Sequence, residues 1–177
     1  MPKTAPNPIM AAAYHEAGHA VMCHLLHLRI RSVGIDADEL VGGETTHDNP
    51  PLGRASPADG SGRSRMEKIV MLCLAGPLAQ RKFTRGGSQE DDGGAIDAET
   101  ASGLATRFFR SRKTAEAYIA FARAWVWQKF EEPRIWAAVE RLARALIERR
   151  RLSGRQAEAI IRGASPRRSD ARQVGAR

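Results

Sequence analysis

The sequence predicts a mainly α-helical fold with one small β-hairpin, and three observations carry that reading. Apolar residues recur at three- and four-residue spacing over most of the 177-residue chain, the mark of helices that bury one face. β-leaning stretches occur together, at Val33–Asp36 and Leu40–Thr46, around an acidic turn. Hydrophobic residues make up 42% and charged residues 27%, ordinary for a globular chain of this length that buries one core.

The elements follow in order. Asn7 before Pro8 reads as an N-cap with proline at the first helical position, where the missing N–H is not needed. The first helix is expected to run to about Leu28. The hairpin comes next, with Gly42 and Gly43 in its second strand. From His47 to Gly62, HDNPPLGRASPADGSG has no periodicity and is expected to be a loop or flap. Arg63–Phe83 is the second helix, with Ile69, Val70, Cys73, Leu74 and Leu78 on one side and Pro77 set to kink or tighten it. TRGGSQEDDGG, residues 84–94, reads as a flexible connection.

Helices are then expected over about Ile96–Ser111 and Thr114–Phe130, the second stopped by Pro133. Ile135–Arg150 is strongly amphipathic through Ile135, Val139, Leu142, Ala143, Leu146 and Ile147. Ser153 and Gln156 have the spacing of a capping box and open a short last helix. Residues 1–163 are expected to form one domain, and 164–177 a basic, disordered tail.

Charge and cysteine content narrow the function classes. The net charge of +8 is uneven: residues 1–100 hold 10 Lys and Arg against 13 Asp and Glu, and residues 101–177 hold 18 against 7. The basic half is suited to nucleic acid, an anionic membrane or an acidic protein. No nucleic-acid motif accompanies it, and arginine as the ordinary helix-surface residue explains it equally. Cys23 and Cys73 lie in apolar helical patterns without metal-ligand spacing to a second cysteine, so reduced thiols are expected. No uncharged apolar run is long enough to span a membrane. MPKTAPNPIM has no signal-peptide core, so a cytoplasmic location is expected.

The chemistry concentrates in YHEAGHAV, residues 14–21. Residues four apart lie one above the other on a helix, so His15 and His19 can direct ring nitrogens at one ion. Zinc accepts such nitrogens at about 2.0–2.1 Å. Glu16, about 100° round the helix, is placed to take a proton from a water that the ion activates. This is the H-E-x-x-H pattern of zinc hydrolases. Gly18 weakens the helix by roughly 1 kcal/mol, a loss that close approach of a facing element would explain. His24 and His27 are expected at the surface or behind the ligands, and His47 in a loop.

A catalytic zinc usually has a third protein ligand. Asp97 heads an apolar stripe of Ala101, Leu104, Ala105 and Phe108, so its carboxylate faces inward and needs a partner. Asp92, and behind it Asp91, in the glycine-rich segment before it, are the alternatives.

These residues resemble the peptidase domain of the FtsH-type AAA+ zinc metalloproteases. AYHEAGHAV is similar to that family's zinc helix, and MLCLAGPLAQRKF, residues 71–83, to its second helix. GAIDAETASGLATRFF resembles the segment that supplies the third ligand, which puts the aspartate at Asp97. AAVERLARALIERRRLSGRQAEAII, residues 137–161, is similar to the closing helices. The resemblance runs over roughly residues 10–162 and implies a helical zinc-peptidase fold with a small hairpin or edge strand beside the H-E-x-x-H helix. Pro77 departs from the family's Arg, Gln80 and Arg81 from its Glu-Glu, and Ile96 from its Asn. No ATPase domain or Walker A motif occurs in the chain.

The expected function is a zinc metalloendopeptidase. His15, His19 and Asp97 hold Zn2+, Glu16 is the general base, and a polypeptide substrate lies along Gly42, Gly43 and Glu44. ATP-independent action as a single chain is expected, with a separate ATPase partner or a homo-oligomer as further possibilities. One alternative is a weak or inactive zinc-helix protein whose basic half docks nucleic acid or an acidic protein. Another is a regulatory H-E-x-x-H peptidase that cuts a single partner.

Overall fold

Asn7 caps the first helix: its Oδ1 accepts the Ile9 N–H at 2.9 Å, and Pro8 begins α1, Pro8–Leu25. The structure, a computed structural model, describes residues 7–36, 42–48, 60–84 and 95–163. α1 stops three residues short of the expected Leu28. His27 adopts a left-handed backbone, φ 56°. Its N–H donates to His24 O at 3.2 Å and the Leu28 N–H to Cys23 O at 2.8 Å. That pair of bonds is the Schellman ending of a helix, here with histidine where glycine is usual.

The turn delivers the chain into β1, Ile30–Ile35, which pairs antiparallel with β2, Gly43–His47. The hairpin is present, with shifted bounds. β1 starts at Ile30 rather than Val33, and a bulge between Ile30 and Ser32 lets His47 pair opposite Ile30. His47 is therefore the last residue of a strand and not a loop residue. Leu40 and Val41 lie outside the described residues, as do 49–59 of the expected flap, 85–94 of the connection and the 164–177 tail.

α2, Gly60–Phe83, begins before the expected Arg63 and continues through Pro77. α3, Ala95–Phe109, and α4, Arg112–Glu131, follow. Then come α5, Pro133–Arg149, a third strand β3, Arg151–Ser153, and α6, Gly154–Ile161. β3 was not expected. It pairs antiparallel with β1, giving the sheet order β2-β1-β3 with β1 central. The capping box is present: Ser153 Oγ accepts the Gln156 N–H, and Gln156 Oε1 accepts the Ser153 N–H at 2.8 Å.

The core forms where the apolar stripes meet. Met22, Val33, Met66, Val70, Phe130, Val139, Leu142, Leu146 and Leu152 are fully buried, and α1 packs against α2, α5 and the sheet. Tyr14 stacks on Phe83 with ring centroids 4.0 Å apart and lies against Trp136, tying α1 to α2 and α5. Gly18 explains how closely α1 and α2 approach. A Cβ there would stand 2.5 Å from Ala79 Cβ and 2.7 Å from the Ala75 carbonyl oxygen. Cys23 is buried and Cys73 half-buried, both as free thiols.

Candidate metal centre

α1 turns His15, Glu16 and His19 into the molecule although all three are polar; His15 and Glu16 are buried and His19 nearly so. A buried polar group requires a partner, and each has one. His19 Nδ1 lies 2.9 Å from the Leu72 carbonyl oxygen. A carbonyl only accepts, so Nδ1 carries the hydrogen. His15 Nδ1 likewise donates to Gln80 Oε1 at 2.9 Å. Both contacts come from α2 and orient the two rings.

The other nitrogens then meet. His15 Nε2 and His19 Nε2 are 3.0 Å apart, and Asp97 Oδ2 on the first turn of α3 stands 3.1 Å from one and 3.2 Å from the other. With both Nδ1 atoms protonated, the neutral rings present bare lone pairs at Nε2. Two lone pairs and a carboxylate oxygen therefore face one point with no hydrogen among them. Such a group repels itself unless a cation lies between. A tetrahedral ion with bonds of about 2.0–2.1 Å separates its ligand atoms by about 3.3 Å, close to the observed edges. His15, His19 and Asp97 thus form a group able to hold a metal ion.

The facing helix leaves room for that ion. A Cβ on Gly76 of α2 would stand 2.7 Å from His15 Nε2 and would overlap His19 Nε2. Any side chain at position 76 would fill the cradle. The electrostatics agree with a site built for positive charge. Without a metal only a proton can take the ion's place: burial opposes the Asp97 charge, but histidines that also carry a hydrogen on Nε2 donate to it, outweigh that cost and hold the carboxyl well below its ordinary range. In that metal-free state burial also opposes a charged His19, yet the hydrogen bond that its second N–H makes to Asp97 and the negative charges of Glu16 and Asp97 raise its pKa overall.

Glu16 is not one of this group; its carboxylate meets β2, close enough to His19 for its charge to act there. Thr45 Oγ1 donates to its Oε2 at 2.6 Å. Of the expected substrate residues, Gly43 packs directly on the Glu16 carboxylate. Glu44 turns to the opposite face, 4.0 Å from Arg151 on β3, and Gly42 has open space where a side chain would be. His24 is half-buried in the last turn of α1 and His27 is exposed; neither joins the metal group. His47 faces the same side as Thr45. Its Nδ1 is buried with no hydrogen-bond partner among the described residues, and burial lowers its pKa. Asp91 and Asp92 lie outside the described residues.

Sequence reasoning did not reach Gly76, Leu72 or Thr45. Gly76 had a signal, since an ion-sized space beside two histidines needs a small residue on the facing helix. Which of several small residues provides it depends on packing. No protein-family model and no curated protein matches the chain.

Proposed function

We propose that the chain is a zinc-dependent peptidase with an FtsH-like catalytic core. The observation that carries this reading is the pairing of two things: a His-His-Asp cluster of bare acceptors, and a buried glutamate on the next helical position with its own fixed partner. A bound zinc ion supplies Lewis acidity, polarising a peptide carbonyl and activating water.

The chain's own residues do the rest. Leu72 and Gln80 keep both ring hydrogens on Nδ1, so both Nε2 atoms are free to ligate. Gln80 departs from the family's glutamate but presents an acceptor oxygen all the same. Glu16 receives the proton of the attacking water and can pass it to the leaving amine. β2 supports binding of an extended peptide. It is one of the two outer strands of the sheet among the described residues, and the one that carries Thr45 beside Glu16; an outer strand can pair with substrate backbone. Two histidines and a carboxylate also suit non-haem iron; the neighbouring Glu16 in H-E-x-x-H favours zinc and hydrolysis.

Glu16→Gln tests the reading. Metal content is expected to match wild type, while cleavage of casein or an unfolded peptide falls by about 10²–10⁴-fold, the share a general base contributes. A metal-loaded Gln variant that cleaves at the wild-type rate would overturn it.

A further inference from the structure

We propose that Thr45 and Gly43 are positioning residues for Glu16, a clamp built into β2 that fixes the carboxylate from two sides; the role rests on the peptidase reading above. The Thr45 hydroxyl donates to Oε2 at 2.6 Å, within the range of charge-assisted hydroxyl–carboxylate bonds. Its Oγ1 also lies 3.2 Å from the backbone carbonyl oxygen of Glu16, so Thr45 spans the residue from main chain to tip.

Gly43 closes the other side. It stands two positions earlier in the strand and therefore on the same face as Thr45. A Cβ there would lie 2.6 Å from Oε1 and 2.5 Å from Cγ. The glycine seats the carboxylate directly on strand backbone. A glutamate has three rotatable bonds, and a base that wanders by about 1 Å can lose about 10²-fold in rate. The clamp removes that freedom.

The same two residues address the sheet edge that has no partner strand among the described residues. The Asp36 N–H donates to the Gly42 carbonyl at 2.9 Å, so Gly42 bonds inward to the chain leading from β1. In an antiparallel ladder the inward-bonding residues alternate, which turns the N–H and C=O groups of Gly43 and Thr45 outward. A peptide that adds to this edge thus bonds to the residues whose other sides hold Glu16. One strand sets both the register of the substrate and the attitude of the base.

The test compares kcat, KM and metal content of Thr45→Val, Thr45→Ser, Gly43→Ala and Thr46→Val with wild type on one unfolded peptide. Thr45→Val is expected to lose about 10–100-fold in kcat, with KM and metal content within about two-fold of wild type. Thr45→Ser keeps the hydroxyl and recovers most of that loss. Gly43→Ala slows turnover similarly, because the new methyl displaces the flexible end of Glu16. Thr46→Val, on the other face of the strand, remains at wild-type kcat.

The clamp is overturned by full kcat in Thr45→Val, by a serine variant as slow as the valine one, by equal loss in Thr46→Val, or by loss of metal in Thr45→Val. Wild-type protein that binds metal and cleaves nothing overturns the peptidase reading, and the clamp with it.

Discussion

Gly76 sets whether an ion can enter between His15 and His19. Its missing side chain is the space the ion would take, since a Cβ would overlap His19 Nε2. Gly76→Ala is therefore expected to weaken metal binding by more than the about 10–100-fold that loss of an outer hydrogen-bond partner costs. Competition with a chromophoric chelator measures it; wild-type affinity would show that the ion sits elsewhere. The cysteines make a second residue-scale prediction. Burial pushes the Cys23 thiol up to about 12, and burial with the nearby Asp97 charge pushes Cys73 up to about 11. Only thiolates react, so the native protein should label slowly with a disulfide reagent at pH 8. The rate should rise about tenfold per pH unit as pH climbs toward those values. Rapid labelling of either thiol at pH 8 would contradict this.

Among the elements, the α1–α2 contact positions the site, because α1 carries both histidines and α2 carries Leu72, Gly76 and Gln80. Gly18→Ala would press a methyl onto Ala79 and the Ala75 carbonyl, and backbone cannot swing aside as a side-chain tip can. Overpacking of this kind costs about 1–3 kcal/mol, expected as a lower denaturant midpoint with weaker metal binding. An unchanged midpoint would mean the helices are not held this closely. The long helices were legible in sequence because an apolar stripe such as Val139, Leu142, Ala143 and Leu146 repeats over several turns, and all four are fully buried. β3 was not legible. Three residues, Arg151, Leu152 and Ser153, have no period of their own, and Arg150 enters the strand through a left-handed turn, φ 62°. The start of β1 was hidden by the polar Arg31 and Ser32 and by the bulge beside them. The His15–His19 spacing is local and was readable, whereas the inward side of Asp97 came from its stripe. Thr45 meets Glu16 only because the hairpin folds onto α1, a contact 29 residues apart that no local pattern records.

Across the whole molecule, the structure brings α1, α2, α3 and β2 around one cluster, drawing together residues from 15 to 97. Among the described residues much of the positive charge lies on helix surfaces, part of it tied into pairs one turn apart such as Arg63–Glu67, Arg112–Glu116 and Arg162–Glu158. Exposed pairs of this kind add little stability. Among the described residues no helix is long and apolar enough to cross a membrane. The site therefore depends on packing of the helices rather than on surface charge, and a metal bound to the folded form alone would stabilise that packing by mass action. The most direct test is metal content by elemental analysis of wild type, Asp97→Ala and Asp92→Ala after equilibration with zinc and removal of excess. The expected result is about one zinc per chain in wild type and Asp92→Ala and almost none in Asp97→Ala. Wild type without metal, or Asp97→Ala with a full equivalent, would contradict the central claim that His15, His19 and Asp97 form one metal centre.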